Sequence, residues 1–137
     1  MNEKTLFVAY RVEESSFRLR PVKEKEKFTL APRFSCTIKG SEKEFNAYVT
    51  AELGGDNAAP APFDLKATVS GKFITGVDTA GDKKSQLKLA LQTLFPYLRA
   101  FVSTLTSASG LPPFILPFVD VDAFIEGATK KDSTVYN

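Results

Sequence analysis

Apolar and polar side chains alternate over the first half of the chain. Phe28, Leu30, Phe34, Cys36 and Ile38 oppose Thr29, Arg33, Ser35, Thr37 and Lys39. Phe45, Ala47, Val49, Ala51 and Leu53 oppose Glu44, Asn46, Tyr48, Thr50 and Glu52. Phe63, Leu65, Ala67, Val69, Phe73 and Val77 oppose Asp64, Lys66, Thr68, Ser70 and Lys72. A period of two sends successive side chains to opposite faces, so each run predicts a strand with one dry and one wet face, as in an antiparallel sheet. Leu6, Val8, Tyr10 and Val12 predict a further strand with those four on one face. Lys39-Gly40-Ser41-Glu42 reads as a hairpin turn and the stretch from Gly54 to Pro62 as a loop. Pro32, which cannot donate to a ladder, marks a strand start or an edge. The longer link from Pro21 to Lys27 can cross the sheet edge instead of making a hairpin.

After Gly81 the period lengthens. Ser85, Lys88, Gln92, Arg99, Ser103 and Thr106 recur at helical spacing as a polar stripe, with Pro96 on it. Leu87, Leu91, Leu94, Leu98, Phe101, Val102 and Leu105 fill most of the remaining girth. A helix this apolar has two neighbours: its own sheet on one side and a second subunit on the other. Asp82 or Ser85 can cap its start, and Gly110 ends it. Next comes GLPPFILPFVDVDAF, where Pro112, Pro113 and Pro117 forbid both a helix and a central strand. An apolar loop is unusual, because loops run over the surface. Asp122 is placed to cap a short helix over 123–128, broken by Gly127, before a polar tail.

Composition narrows the chemistry. The chain of 137 residues is 43% hydrophobic, enough for one domain that buries roughly two thirds of its extended surface. Its 18 basic and 16 acidic residues leave a net charge of +2, and the alternating Lys23-Glu24-Lys25-Glu26-Lys27 cancels itself. No basic stripe points to nucleic acid. No apolar run approaches the roughly 20 residues of a membrane span. The first residues show no leader pattern, and one cysteine suits a reducing compartment, so the cytoplasm is expected. The absence of histidine removes the commonest general base and metal ligand. Cys36, flanked by Phe34 and Ile38, reads as a buried thiol and not a nucleophile. Asp120 and Asp122 lie two apart, a poor spacing for a catalytic carboxylate pair. Neither an enzyme nor a cofactor is expected. Binding is, with the apolar loop as its main candidate.

Three stretches together resemble the SecB family of protein-export chaperones: Leu94-Phe95-Pro96-Tyr97-Leu98-Arg99, then Pro112 to Val119, then Asp120-Val121-Asp122-Ala123-Phe124. The best match runs from Gln86 to Ile125. Ser16-Phe17 before Arg20-Pro21, and Gly71-Lys72-Phe73-Ile74, fit more loosely. The resemblance implies an α+β domain over residues 1–137: a four-stranded antiparallel sheet, a long helix, a proline-rich apolar loop and a short C-terminal helix, with 128–137 as a flexible tail. It implies an ATP-independent holdase for unfolded polypeptides or preproteins. It also implies a homotetramer, a dimer of dimers, with Leu87, Leu91, Leu94, Leu98, Phe101 and Leu105 at its interface. The client groove would take Leu111, Phe114, Ile115, Leu116 and Phe118 from the loop, Phe124 from the last helix, and Phe28, Leu30 and Phe34 from the crossover and second strand. The export members are acidic and dock on SecA, whereas this chain is slightly basic. An antitoxin is therefore the other implied partner, as in relatives tied to toxin–antitoxin systems. SecB-like proteins also occur in Gram-positive bacteria. The rival reading of the residues is a carrier of a small apolar ligand, with the helix closing over a cupped sheet.

Overall fold

The computed structural model describes residues 6–20, 32–41, 43–54, 62–75, 83–117 and 120–130. Strands β1 (Leu6–Leu19), β2 (Arg33–Gly40), β3 (Glu44–Leu53) and β4 (Phe63–Ile74) precede helices α1 (Lys83–Ala108) and α2 (Val121–Lys130). The strands form one antiparallel sheet in the order β1-β4-β3-β2. β1 and β2 are thus opposite edges, and the link between them is a crossover. Pro32 stands just before edge strand β2, where its missing N–H harms no ladder.

The alternation of β2, β3 and β4 becomes two faces. Cys36, Ile38, Phe45, Ala47, Val49, Leu65, Val69 and Phe73 are buried on one. The other carries cross-strand polar pairs: Lys72–Glu44 at 3.2 Å, Lys66–Glu14 at 3.6 Å, and the Thr50 and Thr68 hydroxyls at 2.7 Å. β1 departs from the expected alternation. Its register against β4 slips between Phe7 and Ala9 and again between Val12 and Glu14. Each bulge adds an unpaired residue and reverses the parity of the residues beyond it. Phe7 therefore shares the helix side with Tyr10 and Val12, while Glu13 and Glu14 both reach the polar face, Glu13 by accepting the Ser70 hydroxyl at 2.6 Å.

α1 lies across the dry face with Leu87, Leu91, Leu94, Leu98 and Val102 buried. Gly71 makes this approach possible. A Cβ there would sit 2.8 Å from Phe7 Cε1 and 2.9 Å from Leu94 Cδ2, closer than packed carbons allow. An aromatic row, Phe45–Phe73 at 5.0 Å and Phe73–Phe7 at 5.3 Å, continues through Tyr97 to Tyr10, which stack at 4.5 Å. Pro96 sits inside α1 without ending it, on the exposed side as its place on the polar stripe foretold.

Candidate functional site

The loop begins at a built helix end. Gly110 has φ +94°, a conformation that glycine alone adopts freely. Its N–H bonds the Ser107 carbonyl at 3.1 Å, and the Leu111 N–H bonds the Thr106 carbonyl at 3.2 Å, the paired closure typical of a left-handed cap. Thr106 then does more. Its hydroxyl accepts the Phe114 N–H at 2.8 Å and lies 3.1 Å from the Val102 and Ser103 carbonyls, to which it can donate. The loop thereby returns across the end of α1. Thr106 is fully buried, which corrects its place on the polar stripe: a threonine can satisfy its hydroxyl from its own helix backbone and still face inward.

Of the loop's apolar candidates, Leu111 and Phe114 are half-buried against the core, Leu116 is 0% exposed, and Ile115 is 52% exposed. Leu116 is therefore a core residue in this conformation, and Ile115 is the open one. Phe124 packs half-buried beside the buried Ile125. Phe28, Leu30 and Phe118 lie outside the described residues, as does Asp82.

α2 begins before the expected start and is capped by a different residue. The Ala123 N–H donates to Asp120 Oδ1 at 3.1 Å, so Asp120 is the cap. Asp122, inside the first turn, instead pairs with Lys88 of α1 at 3.3 Å. The helix continues through Gly127 to Lys130. Between α1 and the start of α2 lies an open pocket of about 460 Å³. Leu91, Gln92, Phe95 and Pro96 line it from α1, with Asp120, Val121 and Asp122 opposite. Phe34 of β2, outside this lining, makes an edge-to-face contact with Phe95, centroids 5.6 Å apart. The lining is mostly apolar on the α1 side and carries two carboxylates, with Val121, on the α2 side.

This lining redistributes the sequence candidates. Leu91, expected at a subunit interface, lines the pocket. Leu87, Leu94 and Leu98 face their own sheet and are fully buried. Phe101 and Leu105 are only half-buried, and Tyr97 is exposed beside Tyr10. Gln92, Phe95, Pro96 and Val121 were missed as lining. Their signal was the i, i+4 repeat of Leu91/Phe95 and Gln92/Pro96, which puts two ridges side by side on one stretch of helix. Burial pushes the Cys36 thiol up to about 12, so it stays protonated at neutral pH and is a poor nucleophile. Among the described residues no group of His, Cys, Asp or Glu is placed to hold a metal, and no helix is long and apolar enough to cross a membrane.

No protein-family model matches the chain. The uncharacterized protein MJ0357 of Methanocaldococcus jannaschii is 34% identical over 122 residues, which cover 84% of this chain and 78% of that protein. Among solved structures, the Mycobacterium tuberculosis Rv1957 SecB-like chaperone, in complex with a ChAD peptide from the HigA1 antitoxin, superposes with a TM-score of 0.68 at 15% identity, covering 85% of this chain and 91% of that one. A protein of unknown function from Streptococcus agalactiae gives a TM-score of 0.51 at 11% identity, covering 86% and 100%. The chain therefore belongs to one family with the Methanocaldococcus protein, and its fold is the SecB-like chaperone fold.

Proposed function

We propose that the protein is an ATP-independent holdase that binds non-native polypeptide in an apolar groove. The observation that carries this reading is the open pocket between α1 and α2, whose Phe95 packs against Phe34 of edge strand β2. Its apolar lining suits an anchor side chain, and its open mouth lets a longer chain run on. Ile115 and the half-buried Leu111, Phe114 and Phe124 extend the candidate apolar surface. Affinity comes from apolar area removed from water, about 25 cal/mol per Å² before ordering costs. The reading needs no cofactor and no catalytic group.

A tetramer, a dimer of dimers, is part of the same proposal. Of the apolar residues expected at its interface, Phe101 and Leu105 keep surface to offer, joined by the exposed Tyr97 on α1 and by the exposed Val8, Tyr10 and Val12 of edge strand β1. A long free edge flanked by apolar side chains is a template for pairing. The cytoplasm is the compartment that suits such a client-holding role.

The source of the clients has two versions. One is export, with handover to SecA. The other is an antitoxin segment, favoured by the peptide held by the Mycobacterium chaperone of like fold. The carrier of a small apolar ligand stays behind both, since a pocket with an open mouth would leave such a ligand wet.

Calorimetric titration with a precursor protein, unfolded and folded, tests the proposal. Saturable heat with the unfolded form alone is expected. Silence with both forms at several temperatures overturns the holdase reading and promotes the small-ligand carrier.

A further inference from the structure

Pro96 interrupts the hydrogen-bond ladder of α1 at a chosen place. Each helical carbonyl accepts the N–H four residues on. The partner due to the Gln92 carbonyl is the nitrogen of Pro96, which carries no hydrogen. The helix continues through this gap from Lys83 to Ala108. Gln92 and Pro96 both line the pocket between α1 and α2, beside the apolar Leu91, Phe95 and Val121. Both the residue that carries the orphaned acceptor and the proline that creates it therefore belong to the lining of the candidate groove.

We infer that the main-chain carbonyl of Gln92, released by Pro96, accepts a backbone N–H from the polypeptide held in the pocket. The inference rests on the holdase reading and names the recognition chemistry at that same site. Gln92 is exposed, so water can reach the carbonyl while the pocket is empty. An occupant that fills the pocket removes that water, and a desolvated acceptor left without a donor is a penalty. A hydrocarbon ligand offers no donor. An extended polypeptide offers one at each non-proline residue, next to the side chain that enters the pocket. The opposite rim already has donors: the Asp120 carboxylate accepts the Ala123 N–H, and Asp122 pairs with Lys88. A contact through the peptide bond also explains how a groove can hold many sequences, because the bond is common to all of them.

The test combines one substitution with one modification of the client. A short peptide from the unfolded precursor is titrated into the full-length protein, and each of its backbone nitrogens is then methylated in turn. One position is expected to lose about tenfold in affinity, the size of a single hydrogen bond in a desolvated site. The same series is repeated on Pro96→Ala, which restores the N–H at position 96 and closes the ladder onto Gln92. There the loss at that position should vanish, while purely steric losses persist. Circular dichroism reports whether the helix content of the variant is kept, and Pro96→Ser serves as a second restoration of the N–H. If no methylated position matters, or if it matters equally in all three proteins, the Gln92 contact is overturned and the holdase reading stands. If the unmodified peptide fails to bind, both fall.

Discussion

Leu94 and Leu116 are both fully buried, yet they reach the core by different routes. Leu94 belongs to a 26-residue helix, where Leu87, Leu91, Leu98 and Val102 enter the same face and the helical period places each of them. Leu116 belongs to a loop whose prolines remove donors at 112, 113 and 117. No ladder holds it. It is positioned by the glycine cap, by the Thr106 hydroxyl on the Phe114 N–H, and by the capped start of α2. Burial in the helix is redundant and periodic. Burial in the loop depends on single polar contacts. On the proposed holdase reading, a groove wall that adapts to different clients belongs in the second kind of structure.

The largest effect should come from the helix. Leu94→Ala removes a fully buried side chain that packs over Gly71, where a Cβ would lie 2.9 Å from it. A loss of about 3 kcal/mol is expected in urea unfolding. Client affinity, measured on the folded fraction, should change little, because Leu94 does not line the pocket. A loss below about 1 kcal/mol would mean that the helix collapses onto the sheet to fill the space, and that the two layers are less fixed than the close approach implies.

Thr106→Val comes next. It keeps the shape of the side chain and removes the acceptor of the Phe114 N–H. About 1–3 kcal/mol of stability should go with the unsatisfied group. The sharper readout is hydrogen exchange. Protection should fall at Phe114 and not in the middle of α1. Unchanged protection at Phe114 would show that its amide is held by something other than Thr106.

These two positions also show what the sequence discloses. Leu94 is legible because helical burial has a period, and the apolar faces of β2, β3 and β4 are legible for the same reason. The polar side of Pro96 and the stop at Gly110 come from local chemistry. Thr106 is not legible. Its polarity places it on the wet stripe, and only its bonds to Val102, Ser103 and Phe114 explain an inward hydroxyl. β1 is misread because two bulges reset its parity, and a bulge leaves little trace in an apolar pattern. The cap of α2 is misread by two residues because Asp120 and Asp122 both have the right chemistry, and backbone geometry decides between them. The pocket is hidden for a further reason. It lies between two helices, and its lining combines residues that sequence assigns to separate tasks: Leu91 to an interface, Pro96 to a kink, Asp122 to a cap.

The smallest effect on stability, and the most direct test of how far the groove extends, is at Ile115. Phe114→Asp is the natural choice from sequence, but Phe114 packs half-buried against the core, so a charge there disturbs the fold as well as any client surface. Ile115 is 52% exposed, and Ile115→Asp should stay within about 0.5 kcal/mol of the parent in unfolding. Its client affinity should nevertheless fall about tenfold, as for an apolar contact that becomes desolvated on binding. The contrast with Leu94→Ala is then complete: one substitution removes stability and spares binding, the other removes binding and spares stability. Unchanged affinity in Ile115→Asp would confine the client to the pocket of Leu91, Phe95 and Val121. The proline loop would then be a brace for α2, its apolar side chains serving Leu116 and the core, not the client.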